Sequence, residues 1–514
     1  MNDINIELYK WNKDDLRIFS KSCSDILNIK EIQFYQPYFS LYFHIHNTKF
    51  SHKIIDIKKR FVIKEIINIK EQKYYSSNIF ITCKVYDTYK NLTYTQELFC
   101  KCIPLLDPIC YIMDNYNIFN KRNNLLPSCY NYNTYHKINN INHSAYIDTF
   151  FSFICSELTE RDINPSFSIF YSSFNGIQEN YNFDISDDYE SLRKEKWFYK
   201  NINKHRILID MYVSSDSSDN SDNSDNSDNS DNSDSSDNSD NSDSSDNSEE
   251  DYLLSNSSKS RSTFSDYNQS NNDYIVMLKN IPSQFFIIEK QDGTLEDLLN
   301  PLDIIDDKLI LSCIFQIAFA LVYLQKHFSF THNDLHINNI MYKKTDRIFM
   351  YYKFNNIYYK VPTYGYSFKI IDFGRSIFTF HKKEFFNDTF EKYGEAEGQY
   401  SLPSNHLGFS DNKERIQKNF HFDLCRLAIT ILDTCKYDTN INYGNKQNFV
   451  NFLYNMTLTQ NGKCFLDLED DFNLYISISR YACNSLPKDI ITSFIFNEYR
   501  IKKKFFPKKL YYTT

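Results

Sequence analysis

At 514 residues the chain exceeds one ordinary domain, and its formal charge of −9 is unevenly placed. From Ser214 to Asp251 it carries eleven Asp in a Ser-Asp-Asn repeat, then Glu249, Glu250 and Asp251, with no Lys or Arg; without these fourteen acids the charge becomes +5, a mild basic excess that favours polyanionic partners. Twelve Cys with no CxxC pair and no His cluster at zinc spacing argue against a disulfide or zinc framework, and the lack of a signal peptide or of an apolar run near ~18 to 20 residues argues against secretion and a membrane partner. The expectation is a soluble intracellular protein. The 44 Phe and 41 Tyr beside nine Gly read as AT-rich coding bias.

Residues 1–75 read as an N-terminal extension of short strands and a helix or two, without chemistry; His44 and His46 alternate on a strand as surface or core residues. Residues 76–288 are β-rich. Ile79–Tyr86 and Glu97–Ile103 are predicted strands, the second with Lys101 facing opposite its neighbours. A helix follows over His143–Leu158, with Ile147, Phe151, Ile154 and Leu158 on one face, then a strand over Phe167–Phe174. An insertion spans 177–272. Its repeat, 214–251, has nothing to bury and is predicted to be disordered, reaching on the order of 35 Å; it is an electrostatic brake, a phosphoacceptor, or a tolerated repeat expansion. Strands resume at Tyr274–Met277 and Phe285–Ile288, after which Gly293 permits a turn and Thr294 caps a short helix.

The C-terminal unit, 289–501, opens with an amphipathic helix over Asp306–His327. Next come Thr331-His332-Asn333-Asp334-Leu335-His336-Ile337-Asn338-Asn339 and, thirty-three positions after Asn339, the β-prone run Phe368-Lys369-Ile370-Ile371 ending in Asp372-Phe373-Gly374. Phosphoryl transfer asks the protein for a base near the acceptor hydroxyl and oxygen ligands for magnesium, with little covalent work. Asp334 supplies the base, and Asn339 and Asp372 the metal ligands, with Leu335 and Ile340 as anchors and Gly374 where a turn is needed. Between them, Phe349–Tyr352 and Ile357–Tyr359 form a hairpin held by ordinary strand packing, its outward aromatics a candidate docking surface. Phe422–Ile429 starts a buried helix, and residues 502–514 form a basic tail.

These motifs resemble the protein-kinase catalytic loop and DFG motif, and the whole chain looks closest to the divergent kinase-like proteins of giant, mimivirus-type DNA viruses. The resemblance covers Lys101 through Asp423. It implies an α+β, two-lobed fold with a β-rich N-lobe and a mainly helical C-lobe, and ATP and Mg²⁺ as cofactors. It makes Lys101 the phosphate-binding lysine and Asp148 or Glu157, on opposite flanks of their helix, its acidic partner. Backbone groups of Glu289 and Gln291 would meet the adenine edge, while His332, Gly374 and Asp423 would be structural, Asp423 bracing the catalytic loop. The expected function is a serine/threonine protein kinase acting on a protein substrate, found in host cytoplasm or virion; no nucleic-acid motif is present.

Departures from the family pattern are specific. No glycine precedes Gly176, so the Gly-rich loop over the phosphates is missing. Asn333 replaces the Arg that receives a phosphorylated activation loop, and Tyr393–Tyr400 holds no APE-like motif. His336 gives an HxDLHxxN form, as in haspin and in small-molecule kinases of the aminoglycoside and choline type. A small-molecule kinase and a pseudokinase scaffold are therefore the alternatives.

Overall fold

A computed structural model describes residues 4–42, 52–72, 78–116, 124–128, 134–186, 188–202, 207–213, 272–299, 306–391, 394–400, 416–437, 441–467, 471–507 and 512–513. The repeat at 214–251 and His44 and His46 lie outside them. Strands and helices are both well represented, and the longest strands lie before Gly293.

The first half is built on a seven-stranded sheet. In chain order its elements are α1 (Lys13–Leu27), β1 (Ile29–Gln33), β2 (Phe61–Gln72), β3 (Ile79–Asp87), β4 (Leu92–Pro104), α2 (Ser144–Glu160), β5 (Phe170–Asp184), β6 (Ile207–Val213) and β7 (Asn272–Glu289). The spatial order is β1-β5-β7-β4-β3-β2, with β6 paired to the outer half of β7, and every pairing is antiparallel. Alternation explains the strands: β3 reads buried at every second residue from Ile79 to Asp87. Helix α2 starts where the His143 imidazole accepts the Ala145 amide, and is buried along nearly all its length.

The second half begins with α3 (Leu295–Leu298), closed by a reciprocal capping box between Thr294 and Asp297. Helix α4 (Asp307–Phe328) is capped by Asp306 and ended by Ser329 in the left-handed region at φ 48°. Beyond it come β8 (Ile340–Lys344), β9 (Phe349–Phe354), β10 (Ile357–Pro362), β11 (Tyr366–Ile370), α5 (Phe422–Thr434), α6 (Gln447–Met456), α7 (Asp471–Tyr481) and α8 (Pro487–Thr492). The pairing of β8 with β11, Ile340 opposite Ile370, brings the two loops that follow Thr331 and Ile370 side by side.

Several expectations are corrected here. Residues 1–75 are not an appendage: β1 and β2 are strands of the main sheet, and the buried Asp56 accepts hydrogen bonds from Trp11 Nε1 at 3.0 Å, Tyr9 Oη at 3.1 Å and Lys59 Nζ at 2.5 Å. The insertion does not begin at 177, because β5 and β7 stay paired out to Asp184 opposite Ile275. Helix α4 is not simply amphipathic. It is the one helix among the described residues long and apolar enough to cross a membrane, and 83% of its apolar window is buried inside the protein. The hairpin accounts for this, since Tyr352 and Tyr359 pack on Phe315, while its outward Tyr351 and Tyr358 meet Phe506. The basic tail is tied in through Tyr512, which pairs in parallel with Tyr352. Every cysteine among the described residues is a free thiol.

Glu160, at the end of α2, offers a test of this packing. Burial pushes its carboxyl up to about 7, against a hydrogen bond of 2.9 Å from Ser156. A carboxyl raised in the fold opposes folding once it ionises, so its contribution becomes less favourable as pH rises from 4.5 to about 7. Glu160→Gln is expected to raise Tm relative to the parent protein at pH 8 and to lose that advantage near pH 4, measured by thermal unfolding across pH.

Candidate active site

Lys101 sits near the C-terminal end of β4 between the buried Cys100 and Cys102, and its side chain points to the opposite face of the sheet from theirs. There Nζ lies 2.7 Å from Asp148 Oδ2 on α2 and 2.8 Å from Asp372 Oδ1. The choice left open between Asp148 and Glu157 is thereby made. Asp148 is wholly buried, whereas Glu157 faces the other flank and pairs with Arg161 at 2.6 Å. The second oxygen of Asp148 accepts the Phe373 amide at 2.9 Å. One carboxylate therefore holds the lysine and the Asp372 turn together.

Charge and burial compete at this trio. Burial works against the Lys101 ammonium, but Asp148 and Asp372 outweigh it and hold its pKa above the ordinary range. For the acids burial raises and Lys101 lowers, and the balance leaves Asp148 above and Asp372 below the usual carboxylate values. The backbone carries strain at the same place. Asp372 has φ 62° and Asn333 φ 65°, the left-handed region that Asp and Asn tolerate better than most side chains. Gly374, expected at the turn, is not a positive-φ residue; Asp372 takes that conformation. Gly293 is not a positive-φ residue either; it packs under the Tyr342 ring, whose Oη would lie 2.6 Å from an added Cβ.

The loop after α4 is anchored from below. Asp423, fully buried on α5, accepts the His332 amide at 3.0 Å and the Asn333 amide at 3.0 Å. Burial raises its carboxyl while His332 and these amides pull against that. His332 Nε2 donates to Ile371 O at 2.9 Å, and Ile371 N donates to Asn339 O at 3.1 Å, so the loop and the Asp372 turn are stitched to each other. Asn333 is buried, with Nδ2 on Arg375 O at 2.9 Å and Oδ1 accepting Tyr400 Oη at 2.6 Å. Asn339 Nδ2 donates to Asp334 O at 2.8 Å and to His336 Nε2 at 3.0 Å, which leaves Oδ1 without a protein donor among the described residues.

A cavity of about 150 Å³ opens beside Lys101, lined among others by Phe99, Cys155, Phe286, Ile288, Ile370 and Asp372. Ligand pockets commonly hold roughly 300 to 1,000 Å³, so this one is tight. At its rim the Glu289 amide is already given to Ile169 O at 2.8 Å, and the Gln291 side chain turns in to Ser168 Oγ at 2.9 Å. The Glu289 carbonyl accepts only a long bond of 3.4 Å from that Gln291 side chain. Two residues absent from the sequence reading complete the site. Tyr475 Oη, on α7, donates to Asp334 Oδ1 at 2.6 Å, and Arg375 Nη1 lies 4.0 Å from the same oxygen. Arg375 follows the motif directly and was legible from its place; Tyr475 lies 141 residues from Asp334, and nothing local marks it.

No family model matches the chain. It is similar to an uncharacterized protein, 098R, of Invertebrate iridescent virus 6, with 42% identity over 87 residues, 16% of this chain and 14% of that protein. The matched stretch thus spans about a seventh of the relative's length.

Two measurements test the geometry. Asp148→Ala strips the buried partner from Lys101 and the acceptor from Phe373, and is expected to destabilise the protein by about 3 to 5 kcal/mol, the usual cost of breaking a buried pair, read by urea unfolding. The His336 imidazole is pushed below its ordinary 6.5 by burial, against the pull of Asp334. Because Nε2 accepts from Asn339, protonation evicts that amide, and the arrangement weakens as pH falls below 6.5. An NMR titration is expected to show neutral His336 at pH 7.

Proposed function

We propose that the chain is an ATP- and magnesium-dependent phosphotransferase with a two-lobed, protein-kinase-like fold, acting on a serine or threonine hydroxyl of a protein. The observation that carries this reading is the convergence of Lys101, Asp148 and Asp372 within 2.8 Å contacts beside the Asp334–Asn339 loop. These are the residue types that phosphoryl transfer needs, brought together from four separate parts of the chain. The sheet ending in β7 then serves as the N-lobe and the helices from α4 onward as the C-lobe, with the cleft between them.

The donor set fits a hard cation. Asn339 Oδ1 and the second oxygen of Asp372 have no protein donor among the described residues, and no cluster of three or more His, Cys, Asp or Glu forms a metal site of its own there. Such a pair suits magnesium shared with nucleotide phosphates. Bound there, magnesium would neutralise charge on the transferring group. Lys101 would hold the phosphates, and Asp334 would take the acceptor proton as the acceptor oxygen bonds to the γ-phosphorus and ADP leaves. Residues 73–77, which lie outside the described residues between β2 and β3 in the sequence, contain no glycine, which with the small cavity favours weak nucleotide binding.

A second reading, a kinase for a small hydroxyl compound, is favoured by His336, which supports Asn339 directly. Labelled-phosphate transfer to mixed proteins and to aminoalcohols separates the two, and absence of both transfer and Mg-ATP thermal stabilisation would leave a pseudokinase scaffold. Asp334→Asn is expected to lower turnover by roughly 10²- to 10⁴-fold, the usual worth of a general base, with the Mg-ATP shift in Tm retained. Unaltered turnover would refute the assignment.

A further inference from the structure

Tyr475 stands where an acceptor should. Its phenol donates to Asp334 Oδ1 at 2.6 Å, the same contact an acceptor hydroxyl would make with a base. The ring is fixed from three sides: Arg375 lies 5.6 Å and Arg426 4.9 Å from its centroid, and Phe422 packs 5.9 Å away. Its helix is fixed in turn, since Ser479 Oγ donates to Gln399 O at 2.9 Å and Arg480 Nη2 to Gly398 O at 3.0 Å. Burial and the neighbouring Asp334 keep the phenol protonated, so it remains a donor. Only about a fifth of the Asp334 side chain is exposed, 22%.

We infer that Tyr475 is an intramolecular stand-in for the acceptor hydroxyl, occupying Asp334 Oδ1 until an acceptor displaces it. This rests on the reading of Asp334 as the base.

The test is release of ADP from Mg-ATP, without and with dephosphorylated casein as acceptor, by the parent protein, Tyr475→Phe, Asp334→Asn and the double variant. Tyr475→Phe keeps the ring against Phe422 and Arg426, so the fold is retained, as its Tm will show. With the phenol gone, ADP release is expected to rise roughly threefold or more, the factor one hydrogen bond commands; the rise should vanish in the double variant, and the Mg-ATP shift in Tm should stay unchanged. A Tyr475→Phe protein as slow as or slower than the parent, with Asp334→Asn still impaired, overturns the inference and leaves the proposed function standing. Labelled phosphate recovered on Tyr475 itself also overturns it, making the residue an acceptor. No ADP from any of the four proteins removes the proposed function, and the inference with it.

Discussion

The buried carboxylate of Asp148 is the contact on which the rest of the site depends. It lies on a helix with no exposure to water, yet its two oxygens reach an ammonium on β4 and a backbone amide of the Asp372 turn. A carboxylate there is costly unless paired and hydrogen-bonded, and both conditions are met from elements far apart in the chain. The helix, the sheet and the turn are thus held in one relative position by a single side chain. Aspartate, one methylene shorter than glutamate, also requires α2 to lie close against the sheet.

That closeness gives the aromatic residues their use. Phe151 stacks on Phe330 at 4.6 Å and meets Phe373 at 5.1 Å and Phe378 at 4.4 Å, so α2 is packed onto the loops on either side of Asp334 and Asp372. Large rings bridge such gaps with substantial buried area and specific edge and face contacts. The Phe-rich composition, read from sequence as coding bias, is put to structural use here whatever its origin. The anchoring from Asp423 below and the aromatic packing from α2 above leave the 332–339 loop little freedom, which is what two left-handed residues, Asn333 and Asp372, require in order to persist.

Much of the site could be read in advance because its parts are local. The spacing from Asp334 to Asn339 and the strand before Asp372 are short-range patterns, and alternation along β4 indicated which way Lys101 faces. The long strands were harder. Gly176 looked like an end because glycine usually punctuates strands, but here it admits β1, since an added Cβ would fall 3.2 Å from Lys30 O. Residues 1–75 read as an extension because a strand's partner, unlike its periodicity, is not written in the strand. Asp148 and Glu157 were equivalent on a helical wheel, and only the direction from which the sheet approaches separates them. Tyr475 was invisible for the same reason: its role is created by α7 packing against α5, a tertiary event without a local signal.

Charge accounting links these pieces to the proposed chemistry. Lys101 is one positive charge between two carboxylates, and it cannot neutralise both, which is why Asp148 is pushed up while Asp372 is held down. The asymmetry follows from exposure: the Asp372 side chain is 40% exposed and the Asp148 side chain 0%. Opposite charge at close range therefore favours ionisation of the carboxylate that also reaches solvent. On the proposed reading the remaining negative charge lies on the open side of the trio, at the exposed oxygen of Asp372, where a divalent cation would be drawn. At Asp334 the balance differs, because the Tyr475 phenol already donates to Oδ1 and the Arg375 guanidinium lies 4.0 Å from it. On the proposed reading the metal side of the centre carries excess negative charge while one oxygen of the base is already held by Tyr475, so an acceptor that uses that oxygen must first displace the phenol.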